Sequence, residues 1–183
     1  MKNLFLILVL LLFTACASKK FYTLGEQLDV RPQTTQSEHL DVLTVTVPKY
    51  LKEHKIVRQI TAYQIELIDE AHWLIPMEKK LTQMLIEYLE QSMNNPNVHL
   101  YPWEGSEQSS KRISLTIKRF IASNEEVHLK ANYSIIKLND NRTQTKTFET
   151  KVKSSKKIEE MIKAMEKAYL ELLENIANTL NNK

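Results

Sequence analysis

The sequence predicts an α+β domain: a mostly antiparallel sheet covered on one face by two amphipathic helices. Short runs alternate apolar and polar residues with period two, as half-buried strands do. Two longer stretches repeat apolar residues every three or four positions, as amphipathic helices do. Each helical stripe needs a surface to bury against, and one face of a sheet serves both.

Residues 21–24 form a short apolar segment, and the polar stretch 25–38, with Pro32 inside it, reads as a loop. Residues 39–47 alternate, with Leu43, Val45 and Val47 on one face and Thr44 and Thr46 on the other, until Pro48 stops the strand. Two shorter strand-like runs, 56–60 and 63–68, lie so close together that they suit a hairpin. Pro76 fits the first position of a helix over 76–93, where Met77, Leu81, Met84, Leu85, Tyr88 and Leu89 make one stripe. Asn94, Asn95 and Pro96 stop it. A short strand over 98–101 and a polar loop over 104–110 follow. Ile113, Leu115 and Ile117 then alternate, as do Val127, Leu129, Ala131, Tyr133 and Ile135. The threonine-rich run 143–152 completes an antiparallel meander with turns at 123–126 and 139–141. Last, Ser155 caps a long helix running to Leu180, whose apolar face extends from Ile158 and Met161 through Tyr169, Leu172 and Leu173 to Ile176.

The chain has 183 residues, 43% apolar and 26% charged, which suits one folded domain rather than a disordered tail. Its only glycines are Gly25 and Gly105, too few for the glycine-rich loops that bring backbone against phosphates, so Walker and Rossmann sites are excluded. Twenty-five basic residues against 22 acidic ones give +3, with the charges interspersed, and nucleic acid has no platform. His39, His54, His72, His99 and His128 are scattered, none at zinc-ligand spacing from another, so no metal or cofactor is expected. No Gly-x-Ser-x-Gly elbow occurs, and the acidic pairs Glu125-Glu126 and Glu159-Glu160 suit a turn and a helix start. Nothing in this inventory assembles a catalytic group, so the chain reads as a non-enzyme.

The first residues carry an address. Met1, Lys2 and Asn3 precede an unbroken apolar run over 4–13, which ends in the small residues Thr14 and Ala15. That is a secretory signal peptide over 1–15. A run of this length reaches less than about 20 Å as a helix, short of a hydrocarbon core of about 30 Å. Cys16, the sole cysteine, follows directly, and Leu12-Phe13-Thr14-Ala15-Cys16 resembles a bacterial lipobox. The resemblance implies cleavage before Cys16, lipid on its sulfur and acylation of the new amino terminus, giving the several acyl chains that stable anchoring needs. Loss of Lys2 with the signal leaves a mature charge of +2 (25 less 1, less 22) and no free thiol for a disulfide. Ala17, rather than an acid, resembles the signal for delivery to the outer membrane. The expected organisation is then a lipidated terminus and tether over 16–20 and one periplasmic domain over 21–183.

Behind the lipobox comes an order of short motifs: Phe21-Tyr22-Thr23-Leu24, then Val45-Thr46-Val47-Pro48-Lys49-Tyr50-Leu51, then Ile56-Val57-Arg58, then His72-Trp73-Leu74-Ile75-Pro76-Met77 opening the first helix. This order resembles the PqiC family, the ABC-type transport auxiliary lipoproteins, with Val47 in place of a leucine and His72 in place of an arginine. The resemblance implies a noncatalytic outer-membrane lipoprotein that works with an MCE protein and inner-membrane transporter components to move lipid between membranes. Tyr50 and Leu51 follow a strand-ending proline and Trp73 precedes a helix-starting one. With Arg58, they are the candidate partner-binding residues, since interface energy concentrates in a few large apolar or arginine anchors. The alternative is a tethered regulator that binds and activates a cell-wall synthesis enzyme. Self-association fits the first role, since a ring meets a lipid-conducting channel more readily than one small subunit. The basic cluster Lys151, Lys153, Lys156 and Lys157 is either a solvated face or a contact for anionic headgroups or a partner.

Overall fold

The computed structural model describes residues 18–25, 30, 32 and 37–181. The signal peptide, Cys16 and most of the loop expected over 25–38 lie outside the described residues.

Among the described residues eight strands form one sheet: β1 Lys20–Tyr22, β2 Leu40–Val42, β3 Lys55–Gln59, β4 Ile65–Trp73, β5 Val98–Leu100, β6 Lys111–Ala122, β7 Glu126–Lys137 and β8 Arg142–Lys153. The helices are α1, Met77–Met93, and α2, Ile158–Asn181, and short 3-10 turns stand at Lys49–Leu51 and Ser106–Gln108.

The sheet is mixed, which corrects the expectation of a mostly antiparallel one. The meander β6-β7-β8 is antiparallel as the alternation predicts, and β3 pairs β4 antiparallel. In contrast, β2 lies parallel to both β5 and β6, β1 lies parallel to β4, and β3 meets β6 in parallel at Arg58 and Ala122. Those parallel pairings join segments far apart in sequence, where no hairpin turn announces the partner. β6 is the spine. β7 runs along its whole length on one edge, while β2 takes the start of the other edge and β3 its end. The sheet curls into a half-barrel around the helices.

The first strand is shorter than its alternation suggests, and the reason is local. β2 pairs Leu40 with Lys111, whereas the bridge further on pairs Thr46 with Thr116, so one extra residue intrudes on the β2 side. Within that slip the Val45 N–H turns to the Thr82 hydroxyl of α1, at 2.9 Å. The side chains still alternate as expected, with Val45 and Val47 buried and Thr44 and Thr46 exposed. A bulge between Ile117 and Arg119 bends β6 in the same way.

Both helices bury the faces that periodicity marks. Met77, Leu81, Met84, Leu85 and Leu89 of α1 are buried, as are Met161, Met165, Tyr169, Leu172, Leu173 and Ile176 of α2. They join Ile113, Leu115, Phe120, Leu129, Ala131 and Tyr133 in one core. The helices also touch each other, where the Tyr169 hydroxyl donates to the Leu81 carbonyl at 2.8 Å. Pro76 serves as the N-cap of α1 rather than its first helical residue, with the Lys80 N–H on its carbonyl at 3.0 Å. Asn94, at φ 44°, closes the helix in the left-handed conformation that asparagine tolerates. At the start of α2, the Ser155 hydroxyl accepts from the Lys157 N–H at 3.2 Å.

Candidate functional site

The four candidate partner-binding residues fall into two pairs. Arg58 of β3 and Tyr50 of the first 3-10 turn both attach to the last third of β6. Arg58 sits opposite Ala122 in the sheet, and the Tyr50 hydroxyl accepts from the Phe120 N–H at 2.9 Å. Burial, the largest influence, pushes the Tyr50 phenol up, while the Phe120 hydrogen bond and nearby Arg119 pull the other way. Tyr50 is partly buried and packs against the core, with the rest of the residue open to solvent. Arg58 donates from Nη2 and Nε to Glu66 Oε2 at 2.7 and 3.2 Å, and from Nη1 to the Lys156 carbonyl at 3.3 Å. It thereby ties the β3-β4 hairpin to the segment entering α2.

Leu51 and Trp73 lie inside. Their exposures are 3% and 4%, and both belong to the main core. A partner-binding residue at an element end would stand near the surface, but these two do not, since the chain turns after Pro48 and before Pro76 with both side chains directed inward. Trp73 is also fixed through its backbone, its N–H donating to the His54 carbonyl at 2.7 Å. Trp73 lies beside the start of β3, at His54, whereas Arg58 stands near its end, opposite Glu66.

A second polar cluster, at the opposite end of β6, escaped sequence reasoning. Asp41 of β2 is fully buried and accepts from Ser109 Oγ at 2.6 Å, Trp103 Nε1 at 2.9 Å and Arg112 Nη2 at 2.7 Å. Burial is the strongest single influence on its carboxyl and opposes ionisation. The hydrogen bonds from Ser109, Trp103 and Arg112 together outweigh it and hold the pKa below the usual range. The Arg112 guanidinium carbon stands 3.8 Å from the centre of the Tyr101 ring, and Trp103 stacks with His39 at 5.5 Å and meets His99 at a tilt at 4.1 Å between ring centres. The partners of Asp41 stand 62 to 71 positions away, so no local motif could have shown them.

A cleft of about 540 Å³ runs between β1 and α2, lined by Tyr22, Thr23, Ile162, Lys163, Lys167 and Leu170. Among the described residues no group of three or more His, Cys, Asp or Glu side chains could hold a metal ion. Nor is any described helix long and apolar enough to cross a membrane. What the arrangement offers chemically is contact: a partly exposed arginine and a partly exposed tyrosine at one end of the sheet.

Solved structures resemble the whole of this architecture. A crystal structure of an uncharacterised protein matches with a TM-score of 0.73 at 20% identity, covering 90% of this chain and 99% of the other. Protein XCC0632 from Xanthomonas campestris, of the family model DUF330, matches with a TM-score of 0.75 at 16% identity, covering 88% of this chain and 94% of the other. At those identities the likeness is one of fold. No curated protein matches the chain. The family model described as the ABC-type transport auxiliary lipoprotein component matches from residue 22 to residue 177, nearly the entire folded body. The chain therefore belongs to the family of ABC-type transport auxiliary lipoproteins, the one that its order of short motifs behind the lipobox resembles.

Proposed function

We propose that the protein is an outer-membrane-anchored, noncatalytic accessory of an MCE-type intermembrane lipid transport system. It docks the periplasmic assembly to the outer membrane through lipid on Cys16. The observation that carries this reading is the family match across residues 22–177, joined to a lipobox four residues before β1. Its partners are an MCE protein, inner-membrane transporter components and further copies of itself.

Tyr50, Leu51, Arg58 and Trp73 act as one docking unit. Arg58 and Tyr50 make the contact, while Leu51 anchors the turn and Trp73 anchors the end of β4 in the core. A planar guanidinium on a rigid strand suits a partner's carboxylate or carbonyl, because little freedom is lost on binding.

Complementation tests the anchor's role. In a strain lacking the gene, the wild-type protein restores resistance of the envelope to detergent, and Cys16→Ala does not. Full rescue by an unlipidated, soluble Cys16→Ala protein would remove the docking role.

A further inference from the structure

We infer that the tip of the β3-β4 hairpin is a second membrane contact, laid into the same bilayer surface that receives the lipid on Cys16. The inference rests on the anchoring proposed above and concerns a surface that anchoring does not require.

The hairpin tip is apolar where a solvated turn would be polar. Ile60, Tyr63, Ile65 and Leu67 are exposed by 40, 101, 47 and 42%. Scattered apolar residues need no explanation, but four within eight positions of one projecting hairpin make a patch. β3 covers one side of β4, whereas β1 covers the other only at Ala71, His72 and Trp73. The stretch from Ile65 to Glu70 therefore has no strand on its outer edge among the described residues.

The direction of β1 identifies the occupant. β1 runs parallel to β4, with Lys20 opposite Ala71 and Tyr22 opposite Trp73. Going back from Lys20 toward the lipidation site is thus going back along β4, from Ala71 toward Ile65 and the hairpin tip. Four residues separate Cys16 from Lys20 in the sequence, a reach of at most about 14 Å. From Ala71 to Ile65 is six residues of strand, about 20 Å. A tether that continues the line of β1 therefore carries the acyl chains most of the way toward the tip, and a bilayer that receives them there lies against it.

Charge at this end agrees. Because β3 parallels β6 at Arg58 and Ala122, the tip shares its end of the molecule with the β6-β7 turn and with the last residues of β8. Lys153, Lys156 and Lys157 stand exposed there, and Arg58 ties the hairpin to the Lys156 carbonyl. Of the acids at this end, Glu66, Asp69 and Glu126 are paired with Arg58, Lys55 and Lys151, which leaves exposed Glu70 and Glu125 against the three lysines. Apolar side chains flanked by exposed lysines are a pattern that enters a bilayer interface of anionic lipid.

The test uses the full-length lipidated protein in vesicles of phosphatidylethanolamine and phosphatidylglycerol. The only native thiol is the acylated Cys16, so Tyr63→Cys gives a single site for an environment-sensitive dye, and Asn139→Cys, in the turn at the far end of β6, gives the control. The expected result is blue-shifted emission at position 63, quenched by lipids carrying a spin label on the acyl chain, with neither effect at position 139. Lys153→Glu combined with Lys156→Glu and Lys157→Glu should reduce the quenching at 63. If the protein floats with vesicles but the dye at 63 behaves like the dye at 139, the inference is overturned while the anchor stands. A blue shift at 63 without lipid quenching would mean that a protein surface covers the tip, and would overturn it equally. If the wild-type chain carries no acyl group by mass and does not float, the anchor reading fails and takes this inference with it.

Discussion

Arg112 holds Asp41 through a single carboxylate oxygen: Nη2 and Nε both donate to Oδ2, at 2.7 and 3.0 Å. Ser109 and Trp103 occupy Oδ1. The carboxylate is fully buried, so removing it leaves the partly buried guanidinium without its counter-charge. Asp41→Ala should cost about 3 kcal/mol in denaturant unfolding, the scale of a broken buried pair.

The same carboxylate predicts a pH dependence. Its folded pKa is lowered, so its stabilisation is fully present above the unfolded-state value of about 3.9 and is lost as pH falls through the folded value. Wild-type stability should therefore drop below about pH 4, and Asp41→Asn should flatten that part of the curve. Equal acid slopes for the two proteins would show that Asp41 is not the linked group.

Leu172 and Tyr169 test the helix-sheet core. Leu172 has no exposure, so Leu172→Asp buries an unpaired charge and should lower stability by more than about 3 kcal/mol. Tyr169→Phe keeps the ring and loses only the hydrogen bond to the Leu81 carbonyl, at a cost of about 1 kcal/mol. Thermal melts of the two variants measure both, and an unchanged Leu172→Asp protein would place that helix face against a partner or solvent.

What the sequence revealed follows from how local each signal is. The strands β6 and β7 were legible because Ile113 to Ile117 and Val127 to Ile135 alternate without interruption, and both helices because their stripes run for several turns. The extent of β4 was not. Its register against β3 shifts between Lys55 and Val57, so alternation breaks midway and residues 69–73 no longer read as strand. Parallel pairing of β1, β2 and β5 leaves no turn to read, and the Asp41 cluster gathers residues from three separate segments. Of the docking unit, Arg58 and Tyr50 are where a rim residue would be, whereas flanking prolines gave no information about the inward direction of Leu51 and Trp73.

That division makes the docking unit testable without confusing contact with folding. Trp73→Ala should cost about 3 to 5 kcal/mol because it empties a core site. Arg58→Ala removes a partly covered ion pair with Glu66 and the bond to the Lys156 carbonyl, and should cost about 1 kcal/mol, well below Trp73→Ala. If Arg58 contacts the partner, Arg58→Ala weakens partner capture while its unfolding curve stays close to that of the wild type. Capture lost only in step with stability across both variants would restrict these residues to the fold.

The most direct measurement of the central claim is purification of the lipidated, detergent-solubilised protein from its own envelope, followed by mass-spectrometric identification of what comes with it. Docking within a lipid transport system predicts an MCE protein among the captured chains, retained by the wild type and depleted with Arg58→Ala. Capture of a peptidoglycan synthase with no MCE protein would contradict it, and would make the chain a tethered regulator of cell-wall synthesis.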